Sequence, residues 1–171
     1  MSLSIGEMKI FGMAAYSPAL LQNKRETYSE IYDCNRHRVY SLAFWMTDNE
    51  LAAEQLMTDT FCSAFAVSEE PTADDIDRAL VAELRQYIAI GTLILNCAPC
   101  DQVLSVRCNA QRVDLERAMI ELPNTEKMIF VMHDVLNYDY ARVAFLIGIS
   151  ETNCRLGSHQ ARLRMRELLA K

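Results

Sequence analysis

Three histidines among 171 residues leave little from which to build a catalytic or metal centre. The chain has no HExxH pair, no glycine-rich phosphate loop and no nucleophile elbow. No paired carboxylates share an apolar face in the way an acid–base site requires. An enzyme is therefore not expected, and neither is a cofactor. Glycine (5) and proline (4) are scarce, and β-branched runs are short. Alanine, leucine, methionine, glutamate and arginine are abundant instead, a balance that favours helices throughout. No apolar run approaches the roughly 20 residues of a membrane span, and the stretch from Ile88 to Leu95 is too short for one. The N-terminus lacks a basic start followed by an apolar core, so no signal peptide is expected. A cytoplasmic protein without a membrane partner follows, with its six cysteines reduced and most of them buried as small apolar residues.

Basic charge is short in one half only. Residues 1–100 hold 7 basic and 14 acidic residues, a net of −7, whereas residues 101–171 hold 10 and 9, a net of +1. An acidic whole argues against unspecific nucleic-acid binding but permits a basic face near the C-terminus.

Half of the chain is apolar (51%), enough for one domain or two small ones. Residues 1–24 give weak signals and read as an N-terminal extension. Ser17-Pro18 is a helix-start pair. From Thr27 an aromatic-rich stripe at helical spacing (Tyr28, Ile31, Tyr32, Val39, Tyr40, Leu42, Ala43, Trp45) reads as core. Thr47-Asp48-Asn49 breaks the helix and can cap the next, which spans residues 50–66. Leu51, Leu56, Phe61, Ala64 and Phe65 lie on its apolar side, and Glu50, Glu54, Gln55, Thr58 and Asp59 on the other. After an acidic loop, Asp74 or Asp75 is expected to cap a third helix from Ile76 to Leu95. The first helical domain thus covers residues 25–96, and residues 97–112 read as a linker.

Residues 113–171 read as a second helical domain. Val113, Leu115, Ala118, Met119 and Leu122 mark a helix ended by Pro123. Thr125 is expected to cap the next, with Met128, Ile129, Val131, Met132 and Val135 on its buried face. Asn137 suits a left-handed turn, and Asp139 a further N-cap. Gly148 can take the left-handed conformation that ends that helix. Ser150 is a good N-cap for the last one. Helix, glycine turn and capped second helix make a helix-turn-helix. The final helix carries Arg155, Arg162, Arg164, Arg166 and Lys171, as a helix docking in a DNA major groove would. An αα-hairpin with a solvated basic face has the same pattern, so both readings stand here.

Cys97-x-x-Cys100 is the one local pair with a reactive spacing, open to a redox switch or, with Cys34-x-x-His37, to zinc. A redox motif calls for a βαβ context that this helical sequence does not offer. Inert thiols are the expectation, and no metal site is assigned.

Two segments resemble one family, the bacterial RNA polymerase sigma factors of the extracytoplasmic-function type. The C-terminal one is similar to their region 4 through Leu122-Pro123, Ile129-Phe130-Val131-Met132-His133, Asp139-Tyr140-Ala141-Arg142-Val143-Ala144, Ile147-Gly148-Ile149-Ser150 and the basic run Arg162-Leu163-Arg164-Met165-Arg166. The string Ala53-Glu54-Gln55-Leu56-Met57-Thr58-Asp59-Thr60-Phe61 resembles region 2. The resemblance implies an all-α fold, with a region-2-like bundle followed by a region-4-like helix-turn-helix. It implies a transcription initiation factor whose partners are core RNA polymerase, promoter DNA and an anti-sigma factor. Glu54, Gln55 and Asp59 would dock on polymerase. Ser150, Thr152, Asn153, Arg155 and His159 would face the groove, and Arg162, Arg164 and Arg166 the phosphates.

The chain also departs from the family. Ala52 and Gln55 stand where acids are usual. Ala66, Glu69, Glu70, Asp74, Asp75 and Asp77 occupy a neighbourhood usually basic and aromatic, and Gly157 and Gln160 stand where arginines are usual. Acids repel phosphate, so the −35 element is a more fitting DNA partner than the −10 element. A second reading follows, a sigma-like regulatory protein that acts mainly through protein–protein interaction, without promoter melting.

Overall fold

The computed structural model describes residues 18–94 and 112–170, all of whose regular structure is helical. Pro18 opens the first helix, α1 (Pro18–Thr47), inside the stretch read from the sequence as an extension. A proline there has its φ preset and no needed N–H to lose. The chain reverses at Asp48, which takes a left-handed φ of 51°. Asn49 then caps α2 (Glu50–Val67), its side chain accepting from the Ala52 N–H at 3.0 Å. The expected aromatic stripe is packing surface: Tyr28 meets Phe65 and Tyr32 meets Phe61, with ring centroids 4.6 and 4.8 Å apart. Val39, Leu42, Ala43 and Met46 of α1 close over Ala53, Leu56, Phe61 and Ala64 of α2. Leu51, expected on that buried side, is 78% exposed in the first turn of α2.

The third helix departs most from expectation. Thr72, not Asp74 or Asp75, is its N-cap, and Asp75 supplies the reciprocal half of a capping box. α3 (Ala73–Tyr87) stops well short of Leu95. Ile88 is extended and Gly91 has a φ of +106°. The apolar residues beyond Tyr87 therefore serve a non-helical strap across the second half of the molecule. The expected linker 97–112 lies outside the described residues except for Arg112.

That second half contains α4 (Arg112–Glu121), α5 (Asn124–Phe130), α6 (Tyr140–Ile147) and α7 (Glu151–Ala170). α5 runs on into a π-helical segment, Val131–Val135. Ala118, Met119 and Leu122 are buried as expected, but Val113 and Leu115 are exposed. Pro123, not Thr125, stands at the start of α5, without a side-chain cap. Thr125 is buried, and its hydroxyl accepts the Gly91 N–H of the strap at 3.1 Å. The π segment widens the helix by one residue per turn, and Val135, expected on the buried face, is exposed. Met128, Ile129, Val131 and Met132 remain fully buried.

The two halves pack together. α3 lies against α6, and α1 lies against α5 and the π segment. The core runs through both halves, and Thr125, Glu126 and Lys127 of α5 are polar residues buried within it. Burial lowers the Lys127 pKa, a shift opposed by the negative charge of Asp48 from the other half.

Replacing Thr125 by valine removes the acceptor for a half-buried strap N–H while keeping the shape. The expected loss is about 1 kcal/mol, read as a lower urea midpoint at unchanged m-value.

Candidate nucleic-acid interface

The geometry of the last two helices is set by four local devices. Asn137 takes a φ of 60°, turning the chain into α6. Asp139 caps α6 by accepting from the Arg142 N–H at 2.7 Å. Gly148, at a φ of 78°, ends it, with its own N–H and that of Ile149 both donating to the Ala144 carbonyl. The Ser150 hydroxyl accepts from the Asn153 N–H at 3.1 Å and caps α7. These are the signals expected from the sequence, and together they fix the angle at which α7 leaves α6.

α7 has two faces. Cys154, Gly157, Ser158, Ala161 and Met165 are buried against the domain. Thr152, Asn153, Arg155, His159, Arg162 and Arg166 are exposed at helical spacing on the other side. The packing of the two halves leaves this outer face open. Arg155 is held by Glu151, Nη2 to Oε1 at 2.6 Å, and lies 4.7 Å over the Tyr140 ring. Arg162 pairs with Asp134 of the π segment at 2.5 Å. Arg164 turns inward to the buried Glu126 at 2.9 Å. Desolvation raises the Glu126 pKa, against the opposing pull of Arg164.

Gly157 is not a vacant DNA-contact position. A Cβ there would lie 2.7 Å from Ile129 Cδ1 and 3.1 and 3.2 Å from the two Leu93 methyl carbons. The residue is a notch in which α7, α5 and the strap after α3 meet, so the absent arginine takes nothing from the outer face.

On the opposite half, Glu54 and Gln55 are exposed on α2, and Asp59 follows one turn later, accepting from Gln55 Nε2 at 2.9 Å. Asp59 itself is half-buried.

The polar cluster around Asp77 was not foreseen from the sequence. Asp77, read there as part of an acidic surface, is only 2% exposed. One of its carboxylate oxygens takes Arg38 of α1; the other accepts from the Tyr138 hydroxyl at 2.8 Å and from Arg142 Nη2 of α6 at 2.6 Å. Arg38 also reaches the Tyr138 hydroxyl, and donates to Asn35 Oδ1 at 2.6 Å. Arg142 lies 4.2 Å over the Tyr138 ring and pairs a second time with Asp74, at 2.5 Å. Beside this cluster Arg85 of α3 donates to the Ile147 carbonyl at 2.6 Å, closing the end of α6. A signal was present: Asp77, Leu80, Val81 and Leu84 share one side of α3 at helical spacing, which put the carboxylate on the apolar stripe.

Among the described residues no group of three or more His, Cys, Asp or Glu is arranged to hold a metal. Cys34 and Cys62 are exposed, whereas Cys154 is buried and its thiol pushed up to about 11 by desolvation. Cys97 and Cys100 lie outside the described residues.

Residues 112–165 match the family model described as sigma-70, region 4. The chain is similar in structure to the sigma factor RpoE from Bartonella quintana, solved in complex with the anti-sigma factor NepR. The TM-score is 0.59, the identity 14%, and the match covers 90% of this chain and 98% of that one. No curated protein sequence gives a significant match. Residues 112–165 are thus similar to a sigma-70 region 4, and the chain shares the all-α fold of that sigma factor.

Two outcomes follow from this geometry. Gly157→Arg drives a charged side chain into the notch and is expected to cost at least about 3 kcal/mol of stability in urea unfolding. Near neutral pH, mass-resolved alkylation labels Cys34 and Cys62 in the folded protein, and Cys154 only once the chain is unfolded. The Cys154 thiol ionises at the ordinary value of 9.0 when unfolded and near 11 when folded. Its contribution to stability is full below the lower value and is lost as pH rises through the higher one.

Proposed function

We propose that this chain, with a segment similar to sigma-70 region 4 on a sigma-factor fold, is a transcription initiation factor that binds core RNA polymerase and reads promoter DNA through α7. The observation that carries the reading is the outer face of α7, on which Thr152, Asn153, Arg155, His159, Arg162 and Arg166 stand exposed behind a fixed helix-turn-helix turn. Arginine is bidentate to guanine O6 and N7, and asparagine to adenine N6 and N7, so this face has the donors for base reading in a major groove. Arg162 and Arg166 add charge for phosphate. Glu54, Gln55 and Asp59, on α2 of the other half, are the proposed polymerase contacts. The reading assigns no catalysis and no cofactor, and places the protein in the cytoplasm. Among the described residues no helix is long and apolar enough to cross a membrane.

A second reading, regulation mainly through protein partners without promoter melting, is favoured by one observation. The surface after α2 is acidic, with Glu69 and Glu70 exposed, and acids there oppose single-stranded DNA. An anti-sigma factor is a fitting partner, since the structural relative was solved bound to one.

Co-purification with core polymerase and transcription from fragments of the source genome test the first reading. Wild-type protein is expected to co-purify and to initiate, and Asp59→Arg to lose both. Arg155→Ala is expected to cost about 1–3 kcal/mol in DNA affinity and to relax sequence preference at one position. Retention of polymerase without any transcript favours the second reading.

A further inference from the structure

The Asp77 cluster joins residues that belong to opposite halves and gives Arg142 an environment that calls for explanation. Arg142 is the third residue of α6, the first helix of the helix-turn-helix. In helix-turn-helix complexes the first helix crosses the DNA backbone while the second enters the groove. The N-terminal turn of such a helix also offers a favourable field to anions. An arginine at that place, planar and five-donor, suits a phosphate. In this structure it holds two carboxylates, Asp74 at 2.5 Å and Asp77 at 2.6 Å, both from α3 of the other half. Its Nε is buried with no hydrogen-bond partner among the described residues, so one donor remains for a further oxygen. Two anionic groups thus sit on one cation of the first helix of the helix-turn-helix.

We propose that α3 is an internal phosphate mimic: Asp74 and Asp77 occupy Arg142, a DNA-backbone contact of the helix-turn-helix, and full affinity for duplex DNA requires the two halves to part. The idea rests on the DNA-reading role proposed above for α7. It gives a role to charged groups placed in a seam that is otherwise part of one apolar core. Ion pairs in such a seam weaken as salt rises, which apolar packing does not. This seam is fastened by ion pairs, the Arg85 contact to the end of α6 and the Thr125–Gly91 hydrogen bond. When it opens, Asp77 keeps Arg38 on its own half, so the buried carboxylate is not stranded. Arg142 and Tyr138 are released with the helix-turn-helix. The outer face of α7 is open in both states, so the closed form keeps base contacts and loses a backbone contact. The consequence is weaker binding rather than none.

The test uses full-length protein and a labelled duplex of random sequence, titrated at several salt concentrations. Scattering in solution reports whether the halves have parted. The double variant Asp74→Asn with Asp77→Asn is expected to enlarge the radius of gyration and to bind about tenfold more tightly. Its log–log salt slope should steepen by about 0.9, the increment for one added phosphate contact. Adding Arg142→Gln to that double variant is expected to return affinity and slope to those of wild type, whereas Arg142→Gln alone changes little. Arg85→Ala opens the seam without touching the acids. It gives a smaller gain in the same direction and stands in if the double variant fails to fold. Open variants that bind duplex no more tightly than wild type overturn the mimic and leave the DNA-reading role intact. Absence of duplex binding by every form, open ones included, overturns both.

Discussion

One buried carboxylate decides how the halves of this chain meet. Asp77 sits on the core-facing side of α3 yet is ionically bound to α1 and α6 at once. A carboxylate taken out of water is tolerable only when its lone pairs are filled and its charge is matched. Arg38, Arg142 and Tyr138 do both. Because these partners come from α1, α6 and the turn before α6, the charge acts as a locator. α3 has one position at which the carboxylate is satisfied, and that position sets α6, hence the angle of α7. An apolar residue would pack as well but would tolerate sliding.

The second locator is steric. Gly157 admits Ile129 and Leu93 to within a distance that no side chain on α7 would allow. The strap after α3 is thereby wedged between the two halves, with Gly91 bound to Thr125. Charge at one end of the seam and shape at the other fix the register of an apolar core that runs through both halves. A seam of this kind is well defined when shut and responsive to salt, to acidic ligands and to proteins that bind either half.

The helices and their caps were legible because their signals are local. Asn49, Asn137, Asp139, Gly148 and Ser150 each act within a few residues of themselves, and each behaves as its type suggests. The sigma-like pairing of two halves was legible through strings that keep their order. What was not legible was long-range. Thr125 has the side chain of a cap, but its partner is Gly91, and only the folded chain brings them together. The third helix stops at Tyr87 because the apolar residues that follow are needed as an extended strap, and an apolar run does not say which. Gly157 read as a missing arginine in a DNA-binding helix, since the packing that needs a glycine there is long-range. Asp77 read as surface acid, since the count of charges outweighed its register on α3. In each case tertiary contact assigned the role, and residue type alone was ambiguous.

The π-helical segment from Val131 to Val135 carries a consequence for the length of the chain. A π turn holds one residue more than an α turn of the same rise. Here that extra residue brings Asp134 under Arg162, and places His133 where its Nδ1 meets the Tyr138 carbonyl at 2.6 Å. A relative one residue shorter in this segment would keep a regular α-helix and the same cap at α6, but would lose the anchor beneath Arg162. When chains of this fold are aligned, a single-residue gap between Val131 and Leu136 is therefore a structural step and not noise. On one side of it the outer face of α7 is tethered, and on the other it is free.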